Sequence, residues 1–208
     1  MKTKTDDLRK CYFDINNHLL NDPQPGAYLD LISQEEIFRQ YPFSLLHKLK
    51  DTRQSPQHHP EGSVWIHTLL VVNEAAQRKE KSNDTRVLMW AALLHDIGKP
   101  DTTRERKGRI TAYNHDQIGA KIAREFLGAL TDDKTWIEKV SKLIRWHMQI
   151  LFVVKDLPFA NINSMKEEVD IREVALLGLC DRLGRYKRNK AEEEEIIQKF
   201  LQKCKYHK

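Results

Sequence analysis

The sequence predicts an all-α fold. Apolar residues recur at helical spacing in one segment after another, side-chain caps and glycine or proline breakers bracket those segments, and strand-like alternation is confined to Leu151-Phe152-Val153-Val154. Two hundred and eight residues suffice to bury a substantial core in a single domain. With 40% hydrophobic and 31% charged residues, the composition is that of a globular chain, neither disordered nor membranous.

Along the chain, the first sixty residues are the least patterned. Pro23, Pro25 and Gly26 mark a turn, Ser33-Gln34-Glu35-Glu36 has the form of a capping box opening a short helix, and Pro42 ends it. Gln54 to Gly62 is a loop rich in breakers. Ser63 caps a helix to about Lys79 that carries His67, and Asp84 caps the apolar helix ending at His95-Asp96. Gly98 and Pro100 stop that helix, and residues 101–113 form a basic, polar loop. Asn114 caps a helix from His115 to about Leu130, and Asp132 or Asp133 opens the next, which carries His147. A looser stretch around Pro158 and Asn161 precedes a helix from about Ile171 to Gly184 that holds Asp181. An amphipathic helix from about Ala191 to Lys203 closes the chain, with Ile196, Ile197, Phe200 and Leu201 on one face.

Several function classes are excluded or disfavoured. No apolar run reaches the roughly 20 residues of a spanning helix, so no membrane partner is expected. The opening Met1-Lys2-Thr3-Lys4-Thr5-Asp6-Asp7 has no apolar leader core, and Cys11, Cys180 and Cys204 follow no disulfide or metal spacing. A cytoplasmic setting is the expectation. The net charge of +5 suits an anionic substrate.

The chemistry lies in His67, His95, Asp96, His115, His147 and Asp181, each in or at the edge of a helical segment. Imidazole and carboxylate suit first-row divalent metals, and a carboxylate can bridge two of them. If these six side chains converge, the chain is a metal-dependent hydrolase with its site in the core of a helical bundle. Two metals about 3.5–4 Å apart clamp a phosphoryl oxygen. Manganese, iron, cobalt, nickel, zinc and magnesium are not distinguished by such ligands, nor is one ion from two. Lys99 is placed to bind phosphate or neutralise a leaving group; Arg145, Arg104 and Arg109 are further candidates for substrate binding. Asp116 is a candidate to orient His115. The cluster Arg182, Arg185, Lys187, Arg188 and Lys190 offers footing for RNA.

The order His67, His95-Asp96, Asp181 resembles the HD-domain metal-dependent phosphohydrolases, and most closely the HD domain of bacterial tRNA nucleotidyltransferases, the CCA-adding enzymes. The similarity is carried by His59-Pro60-Glu61-Gly62-Ser63-Val64-Trp65-Ile66-His67, Ala92-Leu93-Leu94-His95-Asp96-Ile97-Gly98-Lys99-Pro100, Tyr113-Asn114-His115-Asp116-Gln117-Ile118-Gly119, Leu143-Ile144-Arg145-Trp146-His147-Met148 and Asp181-Arg182-Leu183-Gly184. It implies His67, His95, Asp96 and Asp181 as primary metal ligands, with His115 and His147 for a second metal where two are bound. It also implies a division into residues 1–58, a helical extension packed on the core, and residues 59–208, an HD domain with its C-terminal amphipathic helix. The implied activity is phosphohydrolysis of phosphomonoesters or 2′,3′-cyclic phosphodiesters, of nucleotides or RNA ends, by metal-activated water with Asp96 and Lys99 as catalytic residues. The alternative is an HD module that binds nucleotide or RNA without cleaving it. Residues 1–58 have neither the paired carboxylates nor the strands of a nucleotidyltransferase domain, so a stand-alone HD domain without CCA addition is expected. The Gly-Tyr-Pro signature of cyclic-di-GMP phosphodiesterases is missing after Asp96.

Overall fold

The computed structural model describes residues 4–207; Met1 to Thr3, the start of the segment expected to lack a leader, and Lys208 lie outside the described residues. In chain order the helices are α1 (Lys4–Asn21), α2 (Pro25–Ile32), α3 (Ser44–His47), α4 (Val64–Ala76), α5 (Thr85–Leu94), α6 (Lys99–Thr102), α7 (His115–Gly128), α8 (Lys134–Trp146), α9 (Gln149–Val154), α10 (Ile162–Glu168), α11 (Ile171–Leu183) and α12 (Lys190–Tyr206). Strands β1 (Thr103–Arg106) and β2 (Arg109–Ala112) form one antiparallel pair. The fold is all-α.

Its axis is α5. Every residue from Val87 to Leu94 is buried, as expected of a helix apolar on all sides and therefore surrounded. Helices α1, α4, α8 and α11 pack around it, while α7 lies along α8 and α12 along α11. Buried apolar side chains from Cys11 to Cys204 form one contiguous cluster, so the first helices share the core of the rest. The caps that start the central helices are those the sequence suggests. Ser63, Asp84 and Asp133 each accept a hydrogen bond from the backbone N–H three residues on, which satisfies one of the orphan donors of a first turn.

Other segments depart from expectation for identifiable reasons. Ser33 ends α2 and opens no helix; its hydroxyl donates to the Asp30 carbonyl at 2.7 Å, and only a 3-10 turn at Glu36–Arg39 follows. Pro25 starts α2 where a missing N–H costs nothing, and Pro100 stands likewise in the first turn of α6. Helix α4 ends at Ala76, short of Lys79. The expected loop over 101–113 is the β1–β2 hairpin, closed by Lys107 and Gly108 with left-handed φ of 49° and 72°. It escapes an alternation test because three of the four β1 residues are exposed, so neither face of β1 forms an apolar stripe. Leu151 to Val154, the one strand-like run, lies in α9 against α11 and α12. Helix α10, capped by Asn161, occupies part of the stretch expected to be loose.

Gly98 is required by proximity, not by its backbone angles, which are helical (φ −81°, ψ −11°). A Cβ there would lie 2.3 Å from the His115 carbonyl oxygen and 2.5 Å from the Gly119 nitrogen, both backbone atoms. Gly98 thus lets the turn after α5 touch the start of α7 and brings His95-Asp96 beside His115. We predict that Gly98→Ala destabilises the fold by about 1–3 kcal/mol, the cost of overpacking a site that cannot yield. Gly108→Ala, where nothing lies within 4 Å of the new Cβ, incurs only the strain of its positive φ, about 1 kcal/mol. Thermal unfolding of the two variants checks the order.

Candidate metal centre

The six predicted ligands converge. His67 comes from the first half of α4, His95 and Asp96 from the turn after α5, His115 from the first position of α7, His147 from the C-cap of α8 and Asp181 from the last turns of α11. All six are buried, with Asp181 the most open at 9%. The Asp96 carboxylate is the hub. Its Oδ2 lies 3.2 Å from His95 Nε2 and 3.8 Å from His67 Nε2, and its Oδ1 lies 3.4 Å from His115 Nε2. His147 Nε2 stands 3.3 Å from His115 Nε2, and Asp181 Oδ1 stands 3.0 Å from His67 Nε2. Two ligand groups result, His67-His95-Asp96 and Asp96-His115-His147, sharing the aspartate.

Hydrogen bonds behind the rings decide which nitrogen faces inward. His95, His115 and His147 each place Nδ1 against the carbonyl three residues earlier, at 2.9, 2.6 and 2.7 Å. A carbonyl only accepts, so each Nδ1 carries the proton and the neutral ring turns a lone pair inward from Nε2. Lone pairs then oppose one another: His95 Nε2 faces the Asp96 carboxylate, and His115 Nε2 faces His147 Nε2. Both His95 Nε2 and Asp96 Oδ2 are buried without a hydrogen-bond partner among the described residues. Acceptors at such separations repel unless a proton or a cation lies between them, and buried polar atoms left unpaired are costly. The donor set therefore fits a divalent metal.

Electrostatics sort the rings. Burial pushes His147 down to about 4, with the neighbouring His115 adding to it. Burial likewise lowers His115, and lowers His59 to about 4 against the pull of Glu61. His67 is raised: burial opposes its charge, but bonds to Asp181 and Glu61 and the charge of Asp96 outweigh that. Asp96 is held well below the carboxylate range despite burial, with the Lys99 ammonium as its counter-charge, and Asp181 by Arg185 and His67.

Two side chains at the centre are placed otherwise than the sequence suggests: it gives Glu61 no role there and puts Arg185 in a basic cluster for RNA. Glu61, 6% exposed within the breaker-rich loop, takes His67 Nδ1 at 3.0 Å and His59 Nδ1 at 2.8 Å on the same Oε1, so it fixes the ring that faces Asp181. Nothing local marks a loop glutamate as buried. Arg185 grips Asp181 through Nη2 at 2.9 and 3.0 Å. Its spacing four residues after a helical aspartate is the signal that was available.

The expected substrate cations are placed differently from one another. Lys99 is in the centre, buried, with Nζ 2.6 Å from Gln54 Oε1 and 2.7 Å from Asp96 Oδ2, the latter angled as an ion pair and not a hydrogen bond. Arg145 is held by Asp116 Oδ2 at 2.6 Å, so Asp116 fixes an arginine and not His115. Arg104 and Arg109 stand exposed on the hairpin, Arg104 bonded to the Thr103 carbonyl. The basic cluster after Asp181 is largely paired: Arg182 and Arg188 with Glu193, Lys190 with Glu194, Arg185 with Asp181. Its inner members Arg182 and Arg185 are thereby committed, while Lys187, Arg188 and Lys190 stay exposed.

A family model described as HD domain matches residues 64–198, and so takes in all six ligands. The chain belongs to the HD-domain family. Over 77 residues, 37% of this chain, it is 39% identical to the Multifunctional CCA protein of Actinobacillus pleuropneumoniae, of which that covers 18%. Over 189 residues it is 23% identical to the Multifunctional CCA protein of Methylococcus capsulatus, covering 89% of this chain and 37% of that protein. Over 91 residues it is 44% identical to the CC-adding tRNA nucleotidyltransferase of Thermus thermophilus, covering 42% of this chain and 20% of that protein. At most 37% of the length of these relatives is thus matched, a part of each that the HD domain here resembles. Glu61 and His59 precede the range that the HD family model covers.

The shifted histidines set the stability of this HD domain against pH once metal is removed by a chelator. His59, His115 and His147 are depressed in the fold but take protons near pH 6.5 in the unfolded chain, so acid favours unfolding. His67 is raised, so its contribution is full below about 6.5 and is lost as pH rises through its folded value. Urea unfolding of the chelated protein should therefore give greatest stability near about pH 6.5, falling steadily toward pH 4. A curve that keeps rising below pH 6 contradicts this arrangement.

Proposed function

We propose that the protein is a metal-dependent phosphohydrolase acting on phosphomonoesters or 2′,3′-cyclic phosphodiesters of nucleotides or RNA ends. The observation that carries this reading is the opposition of acceptors around Asp96, since His95 Nε2 and Asp96 Oδ2 are buried without a hydrogen-bond partner among the described residues and His115 Nε2 faces Oδ1, with the Lys99 ammonium beside them. His67, His95, Asp96 and Asp181 would hold one divalent metal, and Asp96, His115 and His147 a second. A bound divalent metal supplies Lewis acidity, polarising phosphoryl oxygens and bringing the pKa of water toward about 7.

The remaining work falls to the chain. The three carbonyls behind His95, His115 and His147 keep each Nδ1 protonated and each Nε2 available. Glu61 does the same for His67. Lys99 places an ammonium beside Asp96, where negative charge on a departing oxygen is stabilised in a site largely closed to water. RNA or nucleotide as the substrate class is supported by the names of the relatives, a Multifunctional CCA protein and a CC-adding tRNA nucleotidyltransferase.

Two outcomes test the reading. Asp96→Ala should purify folded, with metal content and turnover both lost, when metal analysis is followed by a screen of phosphomonoesters, nucleotides and 2′,3′-cyclic nucleotides with each metal restored. Full turnover in that variant removes Asp96 from the chemistry. Glu61→Gln should keep the fold and weaken metal binding by about 10- to 100-fold, the usual effect of losing a carboxylate behind a ligand histidine. Competition with a metal-indicator dye measures it directly.

A further inference from the structure

The cation that meets a substrate phosphate is the open question of this site, because the basic side chains around it are mostly committed. Arg145 is taken by Asp116, Arg182 by Glu193, and Lys99 by Gln54 and Asp96, while Arg104 and Arg109 are exposed on the hairpin. Arg185 differs. It touches Asp181 through Nη2 alone, and its Nε is buried with no hydrogen-bond partner among the described residues. A guanidinium has five N–H donors, and a buried one left unpaired is costly enough to call for an acceptor. Arg185 also lines a cleft beside the metal centre, together with His147, Asp181, the Glu193-bound Arg182 and the apolar Met148, Ile150 and Leu151.

We propose that Arg185 is the phosphate-binding residue of this centre. It offers its free donors to an anionic phosphoryl oxygen in the cleft between α11 and the α8–α9 turn, while Met148, Ile150 and Leu151 cover the organic part of the ester. The contacts favour a planar guanidinium over a lysine, since one nitrogen holds Asp181 while others remain for the phosphoryl group. Because Arg185 sits against Asp181, the same residue ties the phosphate position to the carboxylate that closes the first ligand group. This assignment rests on the phosphohydrolase reading but is tested separately from it.

The probe is inorganic phosphate, titrated by calorimetry into the full chain at saturating manganese, with metal loading verified by elemental analysis. Arg185→Gln should load manganese and bind phosphate about 10- to 100-fold more weakly than the parent, the loss expected for a hydrogen bond to a charged group. Arg185→Lys should recover part of that loss. Phosphate affinity unchanged in Arg185→Gln overturns the proposal, and so does a variant that cannot be loaded with manganese at all, because Arg185 would then serve only to hold Asp181. If phosphate binding falls as expected but no phosphoester is hydrolysed by the parent, the hydrolase reading fails while the anion site stands.

Discussion

The structure is organised around two carboxylates taken out of water. Asp96 and Asp181 lie within the buried centre of a helical domain, where an unneutralised carboxylate cannot persist. Lys99 and Arg185 place positive charge against them, His67 lies against both, and His95 and His115 border Asp96. Removing one partner from a buried ionic arrangement typically costs about 3–5 kcal/mol, more than any surface pair in this molecule can offer. The helix packing, the Gly98 contact and the caps on α4 and α5 bring His67, His95 and His115 to within 4 Å of these two carboxylates, while α8 sets His147 against His115.

What the sequence made legible follows from that constraint. His95-Asp96 is conspicuous because nothing from Val87 to Leu94 is polar, while His67 and Asp181 lie within capped helices, His147 ends one and His115 begins one. Glu61 was illegible because its burial arises from the fold of a loop and not from any periodic pattern. Arg185 was visible but misplaced: as one of five basic residues in nine positions it resembles a solvated stripe, and only the structure turns it inward onto Asp181. The hairpin was hidden by exposure, since β1 puts three of its four residues in solvent and so shows no apolar face. The early helices were hidden by small cues of opposite sense, Pro25 starting α2 where it suggested a break and Ser33 ending it where it suggested a start.

The basic residues of the chain divide between internal ion pairs and the surface. Much of the positive charge near the centre is spent internally, with Arg182, Arg185 and Arg188 facing acidic residues on α11 and α12, and Lys99 facing Asp96. The exposed remainder on the hairpin, Arg104, Arg106 and Arg109, is a local feature of β1 and β2, where Glu105 is itself paired with Arg53.

The pairing of Lys99 with Asp96 and of Arg185 with Asp181 has a consequence for the life of the protein. Each carboxylate has a built-in counter-charge from its own neighbourhood in sequence, three or four residues away, available from the moment the helix ends form. Part of the neutralisation that the two buried carboxylates require therefore comes from the chain itself and travels with it, whatever else the centre holds.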